Sequence, residues 1–146
     1  MSILQAINRA YSIMYERGWD TVYWAVDLHG TVIESNYENG TYTYISDQAK
    51  HALQSISNLV ETKLILWSSM HEPDQTAIMD LFKADGISVD WFNENPEASN
   101  TATGCFSQKF YFSVLVDDKA GFDPSEWATV EATTLQLSEA FHNEKK

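Results

Sequence analysis

The sequence predicts an α/β sandwich built around a mostly parallel sheet, and three observations carry that expectation. Apolar runs of strand length, KLILWSS at 63–69 and FYFSVLV at 110–116, lack the alternation of a half-exposed strand and suit burial on both faces. Segments of helical period alternate with them, which is the order of a parallel sheet with right-handed crossovers. The length of 146 residues fits one domain over 1–146, large enough to bury a core without disulfides.

Along the chain, residues 3–16 set Ile3, Ile7, Ala10, Tyr11 and Met14 at helical spacing, and Gly18 stops the helix. Its apolar face either folds back on the sheet or meets another chain. TVYWAV at 21–26 is a β-branched and aromatic strand bounded by Asp20 and by Asp27 and Gly30. The polar and aromatic stretch 34–44, with Asn39-Gly40, reads as a loop or a small hairpin. Ser46 or Asp47 then caps a helix that sets Ala49, Leu53, Ile56 and Val60 on one face. After the run at 63–69, Pro73 opens a helix that buries Ala77, Ile78, Leu81 and Phe82 and ends at Gly86.

ISVDWF at 87–92 alternates as a strand, and a long polar loop separates it from the run at 110–116. Asp123, Pro124 and Glu126 spell an N-cap, a first-turn proline and an N3 glutamate, so a helix starts there; a last helix covers about 135–142. Residues 142–146 read as a disordered tail that closes the chain. Trp24, Trp67 and Trp91 fall in strands and read as core. Asn93, Glu94 and Asn95 read as turn-formers that leave a strand on the side of the pocket.

Composition narrows the function. Cys105 is the only cysteine, so no internal disulfide forms, and it reads as an inert small residue. The first residues, MSILQAINRAYSIMYERGW, lack the apolar core of a leader, and no stretch is long and apolar enough to span a membrane; a cytoplasmic protein is expected. A formal net charge of −12 argues against phosphate-driven binding of nucleic acid and requires that an anionic ligand be drawn in by a cation or by placed donors. His51, His71 and His142 show no metal-ligand spacing and read as helix residues.

In open parallel sheets ligands bind beyond the carboxyl ends of the strands. Those ends carry Asp27, then Ser68 and Ser69, then Asp117 and Asp118. Three carboxylates brought together raise one another's pKa unless a cation sits among them, and oxygen ligands of this kind suit Mg²⁺. A carboxylate can attack phosphorus to give an aspartyl-phosphate while the metal shields the like charges. A serine hydroxyl at the end of the second strand can hold a phosphoryl oxygen. Lys109, just before the last strand, is the candidate lysine to balance the remaining charge.

The order DLHGTV, LILWSS, SQKFYFSVLVDDKAGF resembles the motif series of haloacid dehalogenase-like phosphohydrolases over about residues 21–127. DWFNENP followed by Lys109 and VLVDDKAGF resembles the small, nearly capless members found in bacteria and phages. The resemblance implies a Rossmann-like three-layer fold with a minimal cap, and Mg²⁺ as cofactor. It makes Asp27 the nucleophile and a metal ligand, Ser68 the phosphoryl-binding hydroxyl with Ser69 as the alternative, and Lys109 the stabiliser of the transferring group. Asp117 and Asp118, or one of the two, would hold the metal, and His29 would offer its backbone carbonyl.

Most phosphatases of that family carry aspartate at the position of His29, as general acid and then base. Histidine can do both jobs near neutral pH, so His29 either retunes the catalytic acid or marks a site that keeps metal and phosphate binding without fast hydrolysis. The distance from Asp27 to Ser68 leaves room for one loop and one helix and no large cap. The site is therefore open and could admit a bulky or macromolecular phosphate or take its lid from a partner subunit; a phosphorylated small molecule is the expected substrate, and Tyr37, Tyr42 and Tyr44 of the loop could stack on a base or sugar.

Overall fold

The computed structural model describes residues 2–35 and 41–144. The strands are β1 (Val22–Asp27), β2 (Thr62–Trp67), β3 (Trp91–Phe92) and β4 (Val114–Val116), all parallel in the order β3-β2-β1-β4. The helices are α1 (Ile3–Glu16), α2 (Asp47–Ser57), α3 (Glu72–Ala84) and α4 (Trp127–Glu144). The chain steps outward from β1 through β2 to β3 and then returns to the other side of β1 as β4. The reversal in strand order therefore lies beside β1, and its carboxyl end is where this architecture leaves a crevice.

All four helices share one core with one face of the sheet. Ile7, Ala10, Tyr11 and Met14 of α1, Ala49, Leu53 and Ile56 of α2, Ile78 and Phe82 of α3, and Trp127, Val130 and Phe141 of α4 cluster with Val22, Trp24, Val26, Leu64, Leu66, Val114 and Val116. The apolar face of α1 thus folds back on its own chain. On the opposite face Ala25 and Ile65 are also buried, but the layer over them is the irregular segment 93–113. There Ser113 bonds Tyr23 both ways, Ser113 N–H to Tyr23 C=O at 2.7 Å and Tyr23 N–H to Ser113 Oγ at 3.0 Å. Phe110 packs edge-on to Trp67 at 5.4 Å.

Several boundaries differ from the sequence reading. Pairing begins late in β3 because Asp90 occupies its approach with a side chain: Leu64 N–H donates to Asp90 Oδ2 at 2.7 Å while Asp90 N–H donates to Leu64 C=O. In 110–116 only the last three residues form strand, and the rings of Phe110, Tyr111 and Phe112 pack among themselves and their neighbours. The helix expected to carry Val60 ends at Ser57; turns closed by Leu59 N–H to Ile56 C=O and Thr62 N–H to Leu59 C=O break its phase, and Val60 is 83% exposed. Ala77 is exposed and Leu81 half-buried, so α3 buries a narrower stripe than its period suggests. Trp24 is buried and Trp91 half-buried, whereas Trp67 is 42% exposed.

The two C-terminal helices are one. Asp123 and Glu126 form the expected capping box on a 3-10 turn at Pro124–Glu126, which runs straight into α4. Thr134 satisfies its hydroxyl on Val130 C=O at 2.7 Å, so the threonine pair does not interrupt the helix. Residues 142–144 belong to this helix rather than to a disordered tail. His142 Nε2 lies 3.0 Å from Glu61 Oε1, and Tyr11 donates its hydroxyl proton to Glu61 Oε2 at 2.7 Å, so one buried carboxylate ties α1 and α4 to the turn before β2. Among the described residues no helix is long and apolar enough to cross a membrane.

Candidate functional site

Register builds the site. Asp27 closes β1 opposite Trp67, so Ser68 stands one residue beyond it on β2; Val26 is level with Val116, so Asp117 follows at the same height on β4. Asp27, Asp117 and Asp118 each offer a carboxylate oxygen within 4.8 Å of the others. The three aspartates that the sequence singled out therefore converge, each from the carboxyl end of a strand.

A tight turn after β1 makes the convergence possible. Leu28 C=O accepts from the N–H groups of Thr31, Val32 and Ile33, and Gly30 N–H donates to Ile33 C=O at 2.8 Å. Gly30 has φ +84°, and a Cβ there would lie 2.7 Å from Asp118 Oδ2. Only glycine allows the backbone that close to a carboxylate. Next to it, the fully buried Thr31 stitches the two loops together. Its hydroxyl proton is shared between Asp27 Oδ2 at 3.0 Å and Asp118 Oδ1 at 3.3 Å, while Asp118 N–H donates to Thr31 Oγ1 at 3.0 Å. Thr31 C=O in turn accepts from the indole of Trp127 at 2.7 Å, fixing the site to α4.

Like charges held this way strain the carboxylates. Burial, a hydrogen bond shared with Asp118, and the charges of Asp117 and Asp118 push the Asp27 carboxyl up to about 7, against the pull of the Thr31 hydroxyl. Asp117 spends Oδ1 on Lys119 N–H at 2.9 Å, opening a 3-10 turn at Asp118–Ala120 that ends on Gly121 at φ +100°. Three carboxylates whose oxygens lie within 4.8 Å of one another could hold a small hard cation such as Mg²⁺, which would relieve the repulsion.

The second strand contributes a braced serine. Ser68 N–H donates to Asn93 Oδ1 at 2.9 Å and Asn93 Nδ2 donates to Ser68 C=O at 2.6 Å. Asn93 has φ +56°, the one positive value at a non-glycine among the described residues. It is therefore a turn-former, as expected, and also the clamp on Ser68. The Ser68 hydroxyl accepts from Met70 N–H at 3.3 Å, and Ser69 is exposed beside it.

His29 sits in the turn between Asp27 and Thr31, bridged to Ile33. Burial pushes its imidazole below the usual histidine range, and the Asp74 carboxylate pushes it back up. Asp74, in the first turn of α3, accepts from the Tyr42 hydroxyl at 3.1 Å, so the loop, α3 and the His29 turn meet there. Tyr44 is committed elsewhere: it stacks on Phe82 at 5.8 Å and donates to Asp85 Oδ2 at 2.7 Å. Tyr37 and the Asn39-Gly40 turn lie outside the described residues. The paired ends of that stretch, Glu34 N–H to Thr43 C=O and Ile45 N–H to Val32 C=O, have the form of a hairpin stem.

Lys109 is placed apart from the carboxylates. It is exposed, its ammonium 5.6 Å from the centre of the Phe112 ring, and it lines a hollow with Arg9, Trp19 and Thr21, at the end of the sheet where β1 begins. His51 pairs with Glu131 at 2.7 Å between α2 and α4, and His71 caps α3 with its backbone alone. Neither residue joins the site. Cys105 is exposed, with Sγ 3.2 Å from Ser107 Oγ.

Thr31, Trp127 and Asp74 were not singled out from sequence as site residues. Thr31 was visible inside DLHGTV, whereas Asp74 and Trp127 come to the turn from other elements and left no local signal. Fold and site together define an α/β protein with a three-aspartate cluster at the carboxyl edge of its sheet. The chain matches no family model, no curated protein and no solved structure.

Proposed function

We propose that this chain is a Mg²⁺-dependent phosphohydrolase of the haloacid dehalogenase-like type, cleaving a phosphorylated small molecule through an aspartyl-phosphate at Asp27. The observation that carries the reading is the meeting of Asp27, Asp117 and Asp118 within 4.8 Å at the switch point of the sheet. Asp27, Asp117 and Asp118 would hold the metal, which supplies charge neutralisation for an anionic nucleophile meeting an anionic phosphate. Asp27 attacks phosphorus as its ester bond to the leaving oxygen breaks, and the imidazolium of His29 gives that oxygen its proton. Neutral His29 then takes a proton from water, the hydroxide attacks phosphorus, and the bond to Asp27 breaks to release inorganic phosphate. Ser68, held by Asn93, offers its hydroxyl to a phosphoryl oxygen.

Because burial lowers the imidazole of His29, the protonated form needed for the first step is scarce above neutrality. Turnover is expected to fall as pH rises above neutral through loss of that proton, and to fall on the acid side as protons compete with the metal for Asp27, giving a bell-shaped profile. The deciding experiment is phosphate release from a panel of phosphomonoesters, with Mg²⁺ and with EDTA, for wild type beside Asp27→Asn. Release that needs both the metal and Asp27 supports the reading; release by Asp27→Asn at the wild-type rate overturns it.

A second reading is favoured by the position of Lys109 outside the cluster. In it, the protein holds Mg²⁺ and a phosphorylated ligand without useful hydrolysis. Silence across the panel from a folded, Mg²⁺-binding protein, with activity gained by His29→Asp, would select it.

A further inference from the structure

The far end of β1 carries a different hollow, of about 450 Å³, between the turn that enters the strand and the segment 93–113. Its walls include the rings of Trp19, Tyr23, Phe106 and Tyr111 and the carboxylates of Asp20 and Glu97. Tyr111 is the hub: Trp19, Tyr23 and Phe106 lie 6.4, 5.9 and 5.8 Å from it, at interplanar angles of 86°, 84° and 74°. The three rings meet Tyr111 edge-to-face, so the four form one connected aromatic wall of the hollow.

The charged groups that line the hollow are both acidic and are held in place. Tyr23 donates its hydroxyl proton to Glu97 Oε1 at 3.0 Å, and Thr21 donates to Asp20 Oδ1 at 2.9 Å. Burial and the neighbouring Glu97 push the Tyr23 phenol up to about 12, so it stays neutral and keeps donating. No basic side chain lines the hollow; Arg9 and Lys109 lie in the adjoining one, which shares Trp19, Thr21 and Tyr111 as walls. Outside the hollow, Arg17 lies over the Trp19 ring at 5.0 Å.

We propose that this hollow is a binding site for an alkylated ammonium group, seated on the faces of Trp19, Tyr23, Phe106 and Tyr111 and faced by Asp20 and Glu97. The chemistry follows from the walls. Aromatic faces attract a cation through the ring quadrupole, a bulky methylated ammonium gives up its weak hydration at little cost, and two carboxylates set the sign of the charge. A volume of about 450 Å³ is that of a small-molecule site. The site lies at the opposite end of β1 from Asp27 and does not depend on the metal reading.

The test is calorimetric titration of the whole protein with tetramethylammonium and choline, in EDTA and again in saturating Mg²⁺. The neutral isostere 3,3-dimethylbutan-1-ol and a trimethyl-lysine peptide serve as the other probes. Saturable binding of the cations, unchanged by Mg²⁺ and by Asp27→Asn, with the neutral isostere much weaker, is expected. Trp19→Leu, which keeps apolar surface, should weaken the cations about fivefold, and Glu97→Gln about threefold, with unchanged melting temperatures. Tighter capture of the peptide points to a methylated protein side chain and tighter capture of choline to a free small cation; either supports the site. Failure of every cation to saturate by tens of millimolar, equal binding of the neutral isostere, or undiminished binding in folded Trp19→Leu overturns it.

Discussion

Thr31 shows how much a single hydroxyl can organise. It is fully buried, donates to the Asp27 and Asp118 carboxylates and receives the Asp118 amide, while its carbonyl receives Trp127. Thr31→Val keeps the shape and removes the hydroxyl, leaving the Asp118 amide and two carboxylates without that partner. A loss of about 1–3 kcal/mol in urea unfolding is expected, together with a weaker affinity for Mg²⁺ by about tenfold, since groups that orient ligands are worth that much. Asn93 makes a different case, because its left-handed backbone and its side-chain clamp are separable. Asn93→Gly tolerates φ +56° and deletes only the two bonds to Ser68. Stability should fall by about 1 kcal/mol while phosphate release falls by about tenfold or more. A variant that loses stability but no turnover would reduce Asn93 to a turn residue.

Among elements, α1 and α4 are joined to the sheet by Glu61, a carboxylate with a side chain 1% exposed. Burial pushes its carboxyl up, but hydrogen bonds with Ser138, His142 and Tyr11 outweigh it and hold the group below the usual glutamate range. A depressed carboxyl stabilises the fold above its unfolded pKa of about 4.5 and loses that contribution as pH falls below it. Glu61→Gln should therefore flatten the acid side of the melting-temperature profile. It should also cost about 1–3 kcal/mol at neutral pH, read by thermal unfolding. Nothing in the local sequence marked Glu61, because its partners come from residues 11, 138 and 142. By contrast, α1 was legible from its period and its stop at Gly18, and β1 and β2 from their apolar runs. Period failed where side chains did the work of backbone, at Asp90 before β3, or where rings packed on rings, at 110–112. The site divided in the same way. Asp27, Ser68, Asp117 and Asp118 stand at strand ends and could be read in order, whereas the placement of Lys109 depends on an irregular segment whose path no pattern encodes.

For the whole molecule, the two titrating centres oppose each other. The Asp27 carboxyl is raised from 3.8 to about 7, so the folded state holds its proton more tightly than the unfolded chain does. That contribution is complete below pH 3.8 and is lost as pH rises to about 7, whereas the contribution of Glu61 is lost as pH falls. Metal-free protein should therefore melt at lower temperature at pH 7.5 than at pH 5.5. General self-repulsion would give the same sign, so the metal is the discriminating variable. Mg²⁺ at 100 times its Kd stabilises by about 2.7 kcal/mol. That gain should be large at pH 7.5, where the cluster is ionised, and small at pH 5.5, where protons compete for Asp27. Asp27→Asn removes the cluster's raised carboxyl, so its metal-free fall in melting temperature between those pH values should be smaller than that of wild type, while the limb below pH 4.5 remains. Melting curves of wild type and Asp27→Asn at both pH values, with Mg²⁺ and with EDTA, separate these effects. A Mg²⁺ gain that is equal at pH 5.5 and 7.5, or that survives Asp27→Asn undiminished, would place the cation elsewhere on the acidic surface.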